Sequence, residues 1–189
     1  MLYLASTSPR RRDLLNQLGL EFQVLSVHVD ESVQPHELAS HYVERLARAK
    51  AHAGFQQRQS ASDLVLAADT TVVLDGHIIG KPENYAQARD LWQQMSGRAH
   101  QVLTGIALAN QQAMRSQVVS TEVYFKPLCE AEMHAYWHTG EPQDKAGGYG
   151  IQGRGALFVQ KIIGSYSNVV GLPLVETAQL LTEFDYPIW

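Results

Sequence analysis

Apolar positions in this chain follow two rhythms. Some form short unbroken runs bounded by glycine, proline, asparagine or aspartate. Others recur every third or fourth residue. Bounded runs read as buried strands, and the three-to-four spacing reads as helices packed by one face. Residues 2–5 (LYLA) predict a strand, after which Ser8-Pro9 opens a helix with Leu14, Leu15 and Leu18 on one face and Gly19 as its C-cap. Residues 22–29 predict a second strand. Residues 35–53 carry the longest helical pattern, with Leu38, Val43, Leu46 and Ala47 inward and Gly54 closing it. Residues 64–74 form a long β-rich run. Asp75-Gly76 then marks a two-residue hairpin, and residues 77–79 return. Helices are predicted over 85–95, 130–138 and 174–184, and strands over 102–109, 118–125 and 157–163. Hairpins and crossovers together predict an α/β protein, a mixed β-sheet with flanking helices.

Composition narrows the picture. At 189 residues, one compact domain spanning 1–189 is expected. Hydrophobic residues are 45% and charged residues 18%, which are globular values. The one cysteine, Cys129, excludes a disulfide within the chain and points to a reducing compartment. A formal net charge of −4 argues against stable nucleic-acid binding or attraction to an anionic membrane. No run approaches the roughly 20 apolar residues of a membrane helix. The N-terminal MLYLASTSPRRR reverses the charge order of a secretory signal, so a soluble, cytoplasmic protein is expected.

Candidate chemistry sits where local rules are broken. Arg10, Arg11 and Arg12 occupy the first turn of a helix, where positive charge opposes the helix dipole. A bound polyanion resolves the conflict for Arg10 and Arg11, since arginine forks match phosphate oxygens; Arg12 reads as solvated. Ser6 and Ser8, just ahead, can donate to the same oxygens. Lys50 lies on the apolar face of its helix, four residues after Leu46, and must either snorkel to water or meet an anion. Asp69, in the run Ala67-Ala68-Asp69-Thr70, interrupts an apolar strand and needs metal, water or a lysine as partner. If Asp75-Gly76 is the hairpin loop, Leu74 faces His77 and Thr70 faces Lys81. Asp30-Glu31 reads as helix-cap chemistry in isolation, but with Asp69 it offers oxygen ligands to a hard divalent cation.

The segment Asp144-Lys145-Ala146-Gly147-Gly148-Tyr149-Gly150-Ile151-Gln152-Gly153-Arg154-Gly155 has five glycines in the nine positions 147–155. They let a backbone approach a ligand, and Gln152 offers a donor and an acceptor suited to a nucleobase edge. The stretch Gly76-His77-Ile78-Ile79-Gly80-Lys81 is one residue short of a phosphate loop, has Pro82 where a serine or threonine belongs, and sits in a hairpin. It is not one. H-E-x-x-H, C-x-x-C and G-x-S-x-G are all missing from the sequence.

Taken in order, these motifs resemble the Maf family of nucleoside triphosphate pyrophosphatases. The matching pieces are S-T-S-P-R-R at 6–11, V-D-E at 29–31, A-R-A-K at 47–50, A-A-D-T at 67–70 and G-K-P at 80–82. M-S-G at 95–97, D-K-A-G-G-Y-G-I-Q-G at 144–153 and V-V-G-L-P at 169–173 complete them. The resemblance implies a fold like that of the inosine triphosphate pyrophosphatases, with a cleft between two lobes. It implies hydrolysis of a nucleoside triphosphate to monophosphate and pyrophosphate with a divalent metal, magnesium or manganese. On this resemblance Asp69, Glu31 and Lys81 are the catalytic residues: Asp69 activates the water that attacks the α-phosphorus, and Glu31 and Asp69 supply metal ligands or a base. Ser6, Ser8, Arg10, Arg11, Lys50, Thr70 and Gln152 bind substrate. Arg11, Thr70 and Gln152 mark the branch acting on dTTP and UTP. A second branch prefers 7-methyl-GTP, with tryptophan where Arg10 stands and S-D-Q for A-D-T; this chain departs from it at both places and around Gln152. A nucleotide-binding regulator of cell division without turnover is the alternative from another class, and it would not need Asp69 as a base. Related proteins are often dimers, and the apolar Tyr186-Pro187-Ile188-Trp189 tail reads either as an interface or as a frayed end.

Overall fold

The structure is a computed structural model that describes residues 1–58, 60 and 62–188; Trp189, in the apolar tail, lies outside the described residues. In chain order the strands and helices are β1 (Leu2–Leu4), α1 (Pro9–Asn16), β2 (Phe22–Val24), α2 (Ala39–Gln56), β3 (Leu64–Leu74), β4 (His77–Ile79) and α3 (Tyr85–Met95). There follow β5 (Ala99–Ala109), β6 (Met114–Phe125), α4 (Glu130–Trp137), β7 (Val159–Ile163), α5 (Tyr166–Val170) and α6 (Leu174–Glu183). The described strands form a sheet in the order β2-β1-β3-β5-β6-β7, with β4 paired to β3 off that path. β1 runs parallel to both β2 and β3, while β3–β4 and β6–β7 are antiparallel. The mixed α/β expectation holds. No described helix is long and apolar enough to cross a membrane.

The chain divides into two compact units. The first comprises Met1–Thr70, Thr104–Val119 and Gly171–Trp189, and the second comprises Thr71–Leu103 and Ser120–Val170. In the first unit, α2 buries Val43, Leu46, Ala47, Ala51 and Gly54. Its core continues through Tyr3, Ala5, Leu25, Val65, Ala67, Ala107 and Ala109. Small side chains dominate this core, so helix and strands approach closely. In the second unit the core is aromatic. Trp92, Phe125, Tyr136, Tyr149 and Phe158 are buried around Val72, Val102 and Val123. Trp92 meets Phe158 edge-on at 5.7 Å between ring centres, a favoured aromatic geometry.

Several expected boundaries shift. β2 ends at Val24, not residue 29; the Leu25 N–H still bonds to Leu4 O at 2.9 Å, after which the chain leaves the ladder. α2 starts at Ala39, not residue 35. His36 has φ +60°, which a helix forbids, and Leu38 is an extended N-cap that is 62% exposed, not an inward residue. Gly54 does not close α2. It lies inside the helix, where a Cβ would stand 2.8 Å from Val65. The hairpin register is as expected from Leu74↔His77 to Val72↔Ile79, but β4 stops there, so Thr70 and Lys81 are not ladder partners. The Gly-rich segment is ordered as two 3-10 turns, Ala146–Gly148 and Arg154–Phe158.

Candidate functional site

The first unit gathers most of the expected site residues. Lys50 projects from α2 with its side chain 12% exposed, and its ammonium meets two carboxylates. Asp69 Oδ1 is 2.7 Å away and Glu31 Oε1 is 2.6 Å away. Lysine is therefore the partner that Asp69, placed on a buried strand, required. Burial pushes the Asp69 carboxyl above its ordinary pKa, Lys50 and Arg11 pull against it, and Glu31 adds to the rise. Glu31 reaches the cluster from an exposed loop that α2 holds by its backbone. Tyr42 donates its hydroxyl to Glu31 O at 3.0 Å, and Arg45 donates to Ser32 O at 3.0 Å. Arg45 also forks onto Glu37, at 2.6 and 2.8 Å, and this pair holds the Glu37 carboxyl down to about 2.

Arg11 closes the other side. Its guanidinium donates to Gly171 O at 2.8 Å, to Ser6 Oγ at 3.3 Å and to Thr70 Oγ1 at 3.1 Å. Thr70 Oγ1 lies 2.9 Å from Thr104 Oγ1 on β5. Burial lowers the Arg11 pKa, Asp69 opposes the shift and Arg10 reinforces it. Three of its five donors are thus committed to the protein, and Arg11 ties the start of α1 to the end of Asp69's strand segment and to the turn before α6. Ser6 Oγ also accepts the Ser8 N–H at 3.3 Å. Ser8 and Arg10 are half-buried, and Arg12 is exposed, as a solvated residue would be. Ser6, Arg11, Glu31, Lys50, Asp69 and Thr70 therefore form one charged centre. The partners Tyr42, Arg45 and Thr104 were not singled out in the sequence, because none breaks a local pattern; Gly171 was quoted within V-V-G-L-P, but without its bond to Arg11.

Lys81 and Gln152 belong to the second unit, and both are exposed. Lys81 follows Gly80, whose carbonyl accepts the Gly147 N–H at 3.0 Å. Trp92 Nε1 donates to Gly147 O at 3.2 Å, and His100 Nε2 lies 2.7 Å from the buried Tyr149 hydroxyl. Burial pushes the His100 imidazole down to about 4. The loop that carries Gln152 is thus anchored at Gly147 and Tyr149.

Fold and site together define a mixed α/β protein whose first unit gathers a half-buried arginine, a largely buried lysine and two carboxylates, Asp69 buried and Glu31 exposed. The chain belongs to the Maf-like protein family, which it matches over residues 1–184. It is 54% identical over 183 residues to a protein of Pseudoalteromonas translucida named dTTP/UTP pyrophosphatase, covering 97% of this chain and 96% of that one. A protein of the same name from Acinetobacter baylyi is 53% identical over 178 residues, covering 94% and 96%. Another from Aromatoleum aromaticum is 50% identical over 199 residues, covering 99% and 97%. Among solved structures, the Staphylococcus aureus Ham1 protein aligns with a TM-score of 0.48 at 14% identity, over 66% of this chain and 71% of that one.

Proposed function

We propose that this protein is a nucleoside triphosphate pyrophosphatase that hydrolyses dTTP and UTP to the monophosphate and pyrophosphate. The observation that carries this reading is the Asp69–Lys50–Glu31 cluster beside Arg11, in a chain 50–54% identical to proteins bearing that name. Phosphoryl transfer demands positioning and charge stabilisation more than covalent chemistry, and the cluster is built for both. Asp69 takes the proton from the water that attacks the α-phosphorus. Its raised pKa brings it nearer to neutral pH than an ordinary carboxylate, which suits a general base. Lys50 holds Asp69 ionised and oriented. Arg10, Ser6 and Ser8 lie at the start of α1 and bind phosphate oxygens there, while Arg11 and Thr70 fix the shape of the site. Lys81 contributes positive charge for the leaving pyrophosphate, and Gln152 reads the base.

The residues fit a divalent cation, magnesium or manganese. Asp69 and Glu31 already share one positive charge, the Lys50 ammonium, and their oxygens are hard donors. Among the described residues no group of three or more histidine, cysteine, aspartate or glutamate side chains could hold a metal; Asp69 and Glu31 would hold the ion, and substrate phosphates would supply further oxygens. When bound, the ion neutralises charge on the phosphates. The decisive experiment is pyrophosphate release from a panel of UTP, dTTP, CTP, GTP and 7-methyl-GTP with magnesium present. UTP and dTTP should be the best substrates; 7-methyl-GTP leading the panel would overturn the assignment.

A further inference from the structure

The turn that presents Gln152 is pinned from outside itself. Gly153 N–H donates to Gly150 O at 3.2 Å, which leaves Ile151 and Gln152 at the corners of a tight turn. Two side chains hold both feet of that turn. Tyr136 Oη accepts the Gly150 N–H at 3.1 Å and donates to Glu141 Oε1 at 2.7 Å. Glu141 Oε1 also accepts the Gly155 N–H at 3.1 Å, and Oε2 accepts the Arg154 N–H at 2.8 Å. The Tyr136 ring is itself wedged against Trp92 and Phe158, at 5.4 and 4.9 Å between ring centres. Residue 153 must be glycine for this to form, since a Cβ there would collide with the Glu141 carboxylate. Burial alone would raise the Glu141 carboxyl, but its bonds from Tyr136, Gly155 and Arg154 keep it below the ordinary value, so it is an anionic acceptor at neutral pH.

Holding this turn matters for base choice. A glutamine amide turned over by 180° exchanges its donor and acceptor. One orientation suits uracil or thymine, and the other suits cytosine. The amide turns about its own side-chain bond whatever the backbone does, so the clamp acts on position: it holds Gln152 where its amide can reach the base edge, and a loosened turn weakens the pair with the favoured base most. We propose that Glu141, acting through Tyr136 and the amides of the turn, is a positioning residue that sets the preference for UTP and dTTP over CTP. The proposal rests on the reading of Gln152 as the base-reading residue.

The test compares wild type, Gln152→Ala, Glu141→Ala, Glu141→Gln and Tyr136→Phe, with kcat and KM measured separately for UTP, dTTP and CTP. Amide hydrogen exchange across residues 150–155 is followed in parallel. Glu141→Ala should lower the UTP-to-CTP ratio of kcat/KM about tenfold or more, since a displacement of about 1 Å in a reading group carries losses of that order or larger. The loss should appear mainly as a raised KM for UTP, with faster exchange at Arg154 and Gly155. Glu141→Gln keeps one acceptor oxygen and should restore part of the ratio; if Glu141→Ala does not fold, Glu141→Gln and Tyr136→Phe carry the same readout. A purely structural role predicts equal losses for all three nucleotides and an unchanged ratio. If Gln152→Ala shifts the ratio and the Glu141 variants do not, the proposal is overturned while the Gln152 reading stands. If Gln152→Ala leaves the ratio unchanged, the Gln152 reading falls and the proposal falls with it.

Discussion

Asp69 shows how one substitution against the local pattern marks a site. A carboxylate on a buried strand needs a partner, and Lys50 supplies it at 2.7 Å. Asp69→Asn keeps the shape but removes a negative charge and the carboxylate proposed to take the proton from water. Turnover of UTP should fall by about 10²–10⁴, with circular dichroism unchanged; near-wild-type turnover would remove Asp69 from the reaction. Lys50 sets a second expectation. Its ammonium already occupies the space between the two carboxylates, so a divalent cation arriving alone must displace it. Calorimetric titration with magnesium should show weak binding to the free protein and much tighter binding with a non-hydrolysable UTP analogue present. Equal affinity in the two titrations would contradict a shared ion site.

At the scale of elements, α2 lies on β5 with almost nothing between them. A Cβ on Gly105 would stand 2.6 Å from the Val43 carbonyl carbon and 2.8 Å from Glu44 N, both backbone atoms that cannot swing away. Gly105→Ala should therefore cost about 3 kcal/mol or prevent folding, readable as a lowered urea midpoint. Gly105 was not legible in the sequence, because close approach between distant elements leaves no local trace. Leu64–Leu74, the Asp75-Gly76 hairpin and Tyr85–Met95 were legible to the residue, since apolar pattern and punctuation agree there. The overlong β2 came from counting the apolar Leu25, Val27 and Val29, which lie beyond the end of the strand, and α5 was missed because five residues carry no period. In the site, Asp69 and Lys50 stood out individually, but their pairing across 19 positions did not. The bond from Arg11 to Gly171 spans 160 positions, and only the folded chain brings those residues together.

For the whole molecule, stability should depend on pH through His100. Its imidazole is buried with Nδ1 unpartnered, and its pKa is about 4 against an ordinary 6.5. Between those two values the unfolded chain takes up a proton that the folded chain refuses. The contribution of the neutral ring is complete above pH 6.5 and is lost as pH falls towards 4. Each pH unit within that window should cost about 1.4 kcal/mol at most. His100→Gln, which does not titrate there, should show a flatter decline in urea-unfolding free energy between pH 7 and 4.5; identical slopes would contradict the assignment. The division into two units has a different consequence. The chain passes between them after Thr70, Leu103, Val119 and Val170, and the first three passages fall inside β3, β5 and β6. Neither unit is a continuous stretch of gene. No recombination event with two breakpoints can lift one unit intact into another protein, and no single protease cut releases one. Inheritance must treat the charged centre and the loop that carries Gln152 as one indivisible parcel.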